Sequence, residues 1–116
     1  MAAGKLNFII EQGTTFSHSL TWLDESESAV NLTGFTARMQ VRPNITEETV
    51  LLELTTENGR IVITNPLTGT IELLVTAADT AAITWSSGVY DLEMVSGSVV
   101  TRLVEGKIKV SKEVTR

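Results

Sequence analysis

The sequence contains no cysteine, which removes disulfide stapling, thiolate chemistry and every cysteine-built metal site together. A single histidine, His18, leaves a catalytic triad or a histidine-based metal site without the partners it needs. No apolar run approaches the roughly 18 residues of a membrane-spanning helix. Behind the opening Met1-Ala2-Ala3-Gly4-Lys5, the run Leu6-Asn7-Phe8-Ile9-Ile10 is interrupted by Asn7 and too short for the apolar stretch of a signal peptide. The protein is therefore expected to stay where it is synthesised, without a membrane partner. The eight glycines are scattered among turns and form neither G-x-G-x-x-G nor a P-loop. Internal repeats and low-complexity segments are also missing.

What remains is one domain's worth of chain, expected to span residues 1–116. A chain of 116 residues with 42% hydrophobic content can bury roughly two thirds of its unfolded surface in one core. The formal charge of −5 repels a phosphate backbone, so nucleic acid is not an expected partner. That charge is unevenly placed. Residues 102–116 carry Arg102, Lys107, Lys109, Lys112 and Arg116 against Glu105 and Glu113, a net +3, which leaves −8 for residues 1–101.

The dominant period is two, the alternation of a half-buried β-strand. In Thr15 to Trp22, Phe16, His18, Leu20 and Trp22 take one face while Thr and Ser take the other. Phe35, Ala37, Met39 and Val41 repeat the pattern until Pro43, which lacks the N–H a ladder needs. Further strands are expected at Val50–Leu54, Arg60–Ile63 and Thr70–Val75, with turns at Glu57-Asn58-Gly59 and Asn65-Pro66-Leu67-Thr68-Gly69. The alanine-rich stretch Thr76 to Ile83 changes period, and Thr76 with Asp79 resembles a capping box, so one or two helical turns are expected. Alternation returns with Tyr90, Leu92 and Met94, turns at Ser96-Gly97-Ser98, and resumes from Val99, with Gly106 read as a bulge that re-aims the last strand. About eight strands and one short helix predict an all-β antiparallel sandwich of two sheets, with a small β-barrel as the alternative.

Few constellations suggest chemistry. His18 reads as a neutral histidine bonded to backbone at the rim of the core. Asp24-Glu25-Ser26-Glu27-Ser28 groups three acids without the spacing or turn glycine of an EF-hand, and reads as a solvated hairpin tip. Asn31-Leu32-Thr33 and Asn44-Ile45-Thr46 match the glycosylation pattern by chance if no secretory route is taken. Trp22 and Trp85 read as core residues, although an exposed tryptophan can anchor an interface or stack on a sugar. A small hydrolase built on Asp91 and Glu93 is the weakest alternative.

The segment Ala78 to Met94, with its short helix and W-x-x-G-x-Y-D-L-E, and the closing Thr101 to Arg116, with G-K-I-K-V-S and E-V-T-R, resemble small virion proteins of tailed bacteriophages. Among these is the immunoglobulin-like N-terminal domain of baseplate upper proteins. The resemblance is clearest over residues 70–116. It implies an immunoglobulin-like β-sandwich serving as a structural component of a phage or prophage particle, without an active site or cofactor. Baseplate, tail, neck and capsid decoration all stay open. Its partners would be itself or other virion proteins, and its place the virion after synthesis in the host cytoplasm. The alternative is an immunoglobulin-like module binding carbohydrate or protein outside a particle. The basic final strand, expected at a sheet edge, makes Arg102, Lys107, Lys109 and Lys112 the candidate interface residues, joining copies head to tail as a homo-oligomer.

Overall fold

A computed structural model describes residues 4–115. Within them lie nine strands and one short α-helix: β1 (Gly4–Lys5), β2 (Phe8–Glu11), β3 (Phe16–Thr21), β4 (Thr36–Arg42), β5 (Leu52–Thr55), β6 (Ile61–Asn65), β7 (Thr70–Val75), α1 (Ala77–Ala81), β8 (Ser87–Ser96) and β9 (Val99–Ser111). Alternation decides which face each strand buries. Ala37, Met39 and Val41 of β4, Ile71, Leu73 and Val75 of β7, and Tyr90, Leu92 and Met94 of β8 all enter one core. Each large aliphatic side chain placed there contributes roughly 1.5–3 kcal/mol over leaving it in water.

The strands form two layers. One sheet runs β5-β4-β8-β9, with β1 and β2 laid end to end along the far side of β9; the other runs β6-β7-β3. This is the arrangement of an immunoglobulin-like sandwich, with a fifth position on the larger sheet as in variable-type domains. The helix α1 crosses between the layers after β7. Thr76 caps it, its side chain accepting the Asp79 N–H at 3.2 Å as the sequence predicts.

Three features add to or correct the expectation. First, the N-terminal run contributes a further strand: Phe8 to Glu11 pair with Ile108 to Ser111 in parallel within the otherwise antiparallel sheet. Second, that pairing covers the last strand. β9 therefore lies inside the sheet from Val104 to Ser111, between β8 and the β1/β2 edge, and is not an edge strand there. Third, the bulge falls at Leu103, because the register with β8 slips between Leu92↔Val104 and Glu93↔Arg102, while Gly106 pairs regularly with Tyr90. Gly106 serves a different purpose. A Cβ there would collide with the Leu6 carbonyl oxygen and lie 2.8 Å from Asn7 Oδ1. The missing side chain lets the N-terminal strand kink against β9, with Asn7 Oδ1 accepting the Lys107 N–H at 2.9 Å.

The loops follow local chemistry. Asp24 Oδ1 accepts the Ser26 and Ser28 N–H groups at 2.8 and 3.0 Å, which makes the acidic segment a hairpin tip. Both Asn-x-Thr triplets are turns of one kind: Asn31 and Asn44 each accept the N–H and hydroxyl of the threonine two residues on. Gly69 closes the β6–β7 connection at φ 66°, and a Cβ there would sit 2.6 Å from the Trp22 carbonyl oxygen.

Thr80, fully buried, joins α1 to the β2–β3 turn. Its hydroxyl donates to the Thr14 carbonyl at 2.7 Å and accepts the Gly13 N–H at 3.0 Å. Thr80→Val keeps the shape and removes both bonds, so it is expected to cost about 1–3 kcal/mol by leaving those backbone groups unpaired. A urea midpoint identical to that of the native chain contradicts this role. Gln12 reinforces the same joint, donating to Ile83 O at 2.9 Å and accepting the Glu113 N–H at 2.9 Å.

Candidate functional site

The outer face of the larger sheet gathers most of the charge of its strands. Because alternate residues of β4, β8 and β9 turn inward, those between them form rows across the sheet. One row reads Glu53, Gln40, Asp91, Glu105, Lys5; the next reads Thr55, Arg38, Glu93, Arg102. Asp91 and Glu105 stand directly opposite, an unfavourable pairing of like charges. Arg102 offsets it by reaching both carboxylates at 3.5 Å, and Lys5 pairs with Glu105 at 2.6 Å. Arg38 pairs with Glu93 at 2.8 Å, while Arg42 bonds Gln40 Oε1 at 2.7 Å and the Glu47 carbonyl at 3.0 Å. As exposed pairs these add little stability each; their effect is to fix the charge pattern.

The pattern perturbs its own carboxyls. Burial first, then the neighbouring Glu93 and Glu105 charges, push Asp91 above the usual carboxylate range against the pull of Arg102 and Arg42. Glu105 is held below that range, chiefly by its hydrogen bond to Lys5. A shallow groove of about 730 Å³ runs over these residues, bordered by Asn44 and the exposed Ile45. Such a surface suits an extended polar partner carrying both signs of charge.

The candidate interface residues divide here. Arg102 and Lys107 line the groove. Lys109, two residues on, projects from the same face. Lys112 lies beyond β9 and donates to the Trp85 carbonyl at 3.1 Å. Lys5, Arg38 and Arg42 belong to the surface too, yet nothing local in the sequence joins them to it. The available signal was that outward positions of three strands are charged. The hydrolase pair Asp91 and Glu93 shares the face, with each carboxylate matched to an arginine.

A second groove of about 400 Å³ opens between β5 and α1, lined by Val50, Leu51, Ile83 and Trp85, with the Arg60–Asp79 ion pair at its rim. Trp85 and Trp22 are both half-buried, and Trp22 meets Phe35 edge to face with ring centres 5.7 Å apart. His18, also half-buried, packs its ring edge to face on Phe8 at 4.9 Å, the contact found where the sequence suggested a backbone bond.

No family model matches the sequence, and no curated protein matches it. Among solved structures, an endo-fucoidan hydrolase from glycoside hydrolase family 107 shares the fold, with a TM-score of 0.54 and 11% identity. The match covers 97% of this chain and 13% of the hydrolase chain, so the chain spans about an eighth of that protein's length. The likeness establishes the fold. It also corrects the expectation of a chain without enzymatic activity: this sandwich occurs within an enzyme chain, so neither the all-β architecture nor the lack of sequence motifs separates the protein from enzymes.

Proposed function

We propose that the chain is an assembly part of a bacteriophage or prophage particle, in tail, baseplate, neck or capsid decoration, docking through the outer face of the larger sheet. The observation that carries this reading is the charge layout of that face. Lys107 and Lys109 project from it, and among the described residues neither has a carboxylate within 4.0 Å. Residues 1–101, by contrast, hold a net −8, so acidic side chains of a second copy are available to meet these lysines, as those of an adjacent virion protein would be. Residues 70–116, which carry the resemblance to phage virion proteins, supply β8 and β9 of the same face.

In a lysate of the phage or induced prophage that encodes it, the tagged chain is expected to sediment with particles. The double variant Lys107→Glu, Lys109→Glu is expected to stay behind, and raising salt to weaken the native association. Particles that sediment without the native chain sink the reading.

A second reading is favoured by the half-buried Trp85 beside its groove and by the shared fold: an immunoglobulin-like module that binds carbohydrate outside a particle. Retardation of the chain in gels containing fucoidan, lost on Trp85→Ala, supports it. Unretarded migration rejects fucoidan as the ligand.

A further inference from the structure

Among the described residues the two sheets have four free edges, and three carry a device that discourages another chain. β5 is four residues long, and its Glu53 carbonyl already accepts Arg60 Nη1 and Asn58 Nδ2, both at 3.0 Å. The β1/β2 edge is broken at Leu6 and Asn7 and carries Lys5 and Glu11. β6 has a register irregularity between Ile63 and Asn65. β3 has no such device. From Phe16 to Thr21 it contains no proline, no glycine and no acidic or basic side chain other than His18, and all six residues pair with β7 in unbroken register.

The free side of β3 can be read from its paired side. The Trp22 N–H donates to the Gly69 carbonyl at 2.8 Å. Hydrogen-bonded residues alternate along an antiparallel ladder, so the even-numbered residues of β3 turn their backbone groups toward β7. Ser17, Ser19 and Thr21 therefore turn theirs outward, and among the described residues no other strand pairs with them. The side chains of these three are exposed, whereas Phe16, His18 and Leu20 are half-buried on the inner face.

We propose that this edge pairs with the β3 of a second copy, antiparallel about a twofold axis at Ser19. In that register Ser19 faces Ser19 and Ser17 faces Thr21, closing about six backbone hydrogen bonds between hydrogen-bonded pairs. On the inner face His18 meets Leu20 and Phe16 meets Trp22. A slip by one residue turns these half-buried side chains to the outer face, and a slip by two keeps the faces but closes fewer hydrogen-bonded pairs within Phe16–Thr21, so the axis at Ser19 is favoured. A second copy is the fitting occupant because the edge is self-complementary: it brings no carboxylate or lysine face to face across the axis, the hydroxyls of Ser17, Ser19 and Thr21 meet hydroxyls, and Phe16 meets Trp22. The nearest carboxylate, Glu72, lies one strand back, where it accepts the Ser17 hydroxyl at 2.9 Å. The pairing belongs to the isolated chain and does not depend on a place in a particle.

Light scattering over a range of concentrations, combined with amide hydrogen exchange, tests it. The native chain is expected to dimerise, with the amides of Ser17, Ser19 and Thr21 becoming protected as it does. Ser19→Lys keeps the backbone N–H and stands opposite Glu72 on β7, so the monomer gains an opposite charge beside it while the dimer must bring two lysines together at the axis. Dimerisation is expected to weaken by roughly a hundredfold, with the native circular dichroism retained. A native chain that stays monomeric at about millimolar concentration overturns the proposal. So does a dimer in which those three amides exchange freely, or one that Ser19→Lys leaves unchanged. The exchange measurement on the native chain decides the matter even where the variant unfolds.

Discussion

Gly106→Ala is expected to lower stability by about 3 kcal/mol or more, the upper range for forcing an atom into filled space. The added carbon meets the Leu6 carbonyl oxygen, which belongs to backbone and has little freedom to retreat. That oxygen already accepts the Tyr90 hydroxyl at 2.6 Å, and the Leu6 N–H donates to Glu105 at 3.0 Å, so the kink is held from both sides. Relief requires β1 to lift from β9. Urea denaturation of the variant beside Lys107→Ala, whose side chain is exposed and whose change is expected to stay within about 0.5 kcal/mol, provides the comparison. Equal midpoints for the two variants rule out the close approach as the reason for glycine.

Tyr90 gives the second large effect, seen in alkali. Its phenol is buried, with 5% of the residue exposed, and burial first and the Glu105 charge second push its pKa from 10.0 to about 12. The unfolded chain therefore releases this proton near 10 while the folded chain holds it until about 12. Since the unfolded state binds fewer protons across that window, the contribution is complete below pH 10 and declines at about 1.4 kcal/mol per pH unit above it, a loss of about 2–3 kcal/mol by pH 12. Tyr90→Phe is expected to flatten that decline, at the cost of about 1 kcal/mol near neutrality for the lost bond to Leu6. Urea titrations of both proteins across the range measure it. Parallel alkaline curves for the two would assign the loss to other groups.

The parts of the fold legible in the sequence are those written in local pattern. β4, β7 and β8 follow strict alternation, Asn65 to Gly69 form the expected turn, and Thr76 caps α1. The illegible parts depend on partners far away in the chain. Phe8-Ile9-Ile10 is too short to announce a strand, and only its pairing with Ile108 to Val110 makes it one. Gly106 looks like a bulge because the reason for it, Leu6, is 100 residues distant. The charged face was hidden for the same reason: Lys5, Gln40, Asp91 and Glu105 form a row only after three register choices, none of which alternation alone dictates.

The parallel seam between β2 and β9 also constrains how the chain reaches its native state. Strands made early in synthesis must wait for a segment about a hundred residues later before their backbone groups are matched. Closing so long a loop is entropically costly before any contact rewards it. Sandwiches dominated by such non-local pairings fold in roughly milliseconds to seconds, far slower than helical bundles of equal size. Meanwhile Phe8 and Ile10, which end in the core, remain uncovered. Concentrated refolding or rapid expression is then expected to favour aggregation through those uncovered side chains, with the seam expected to form late.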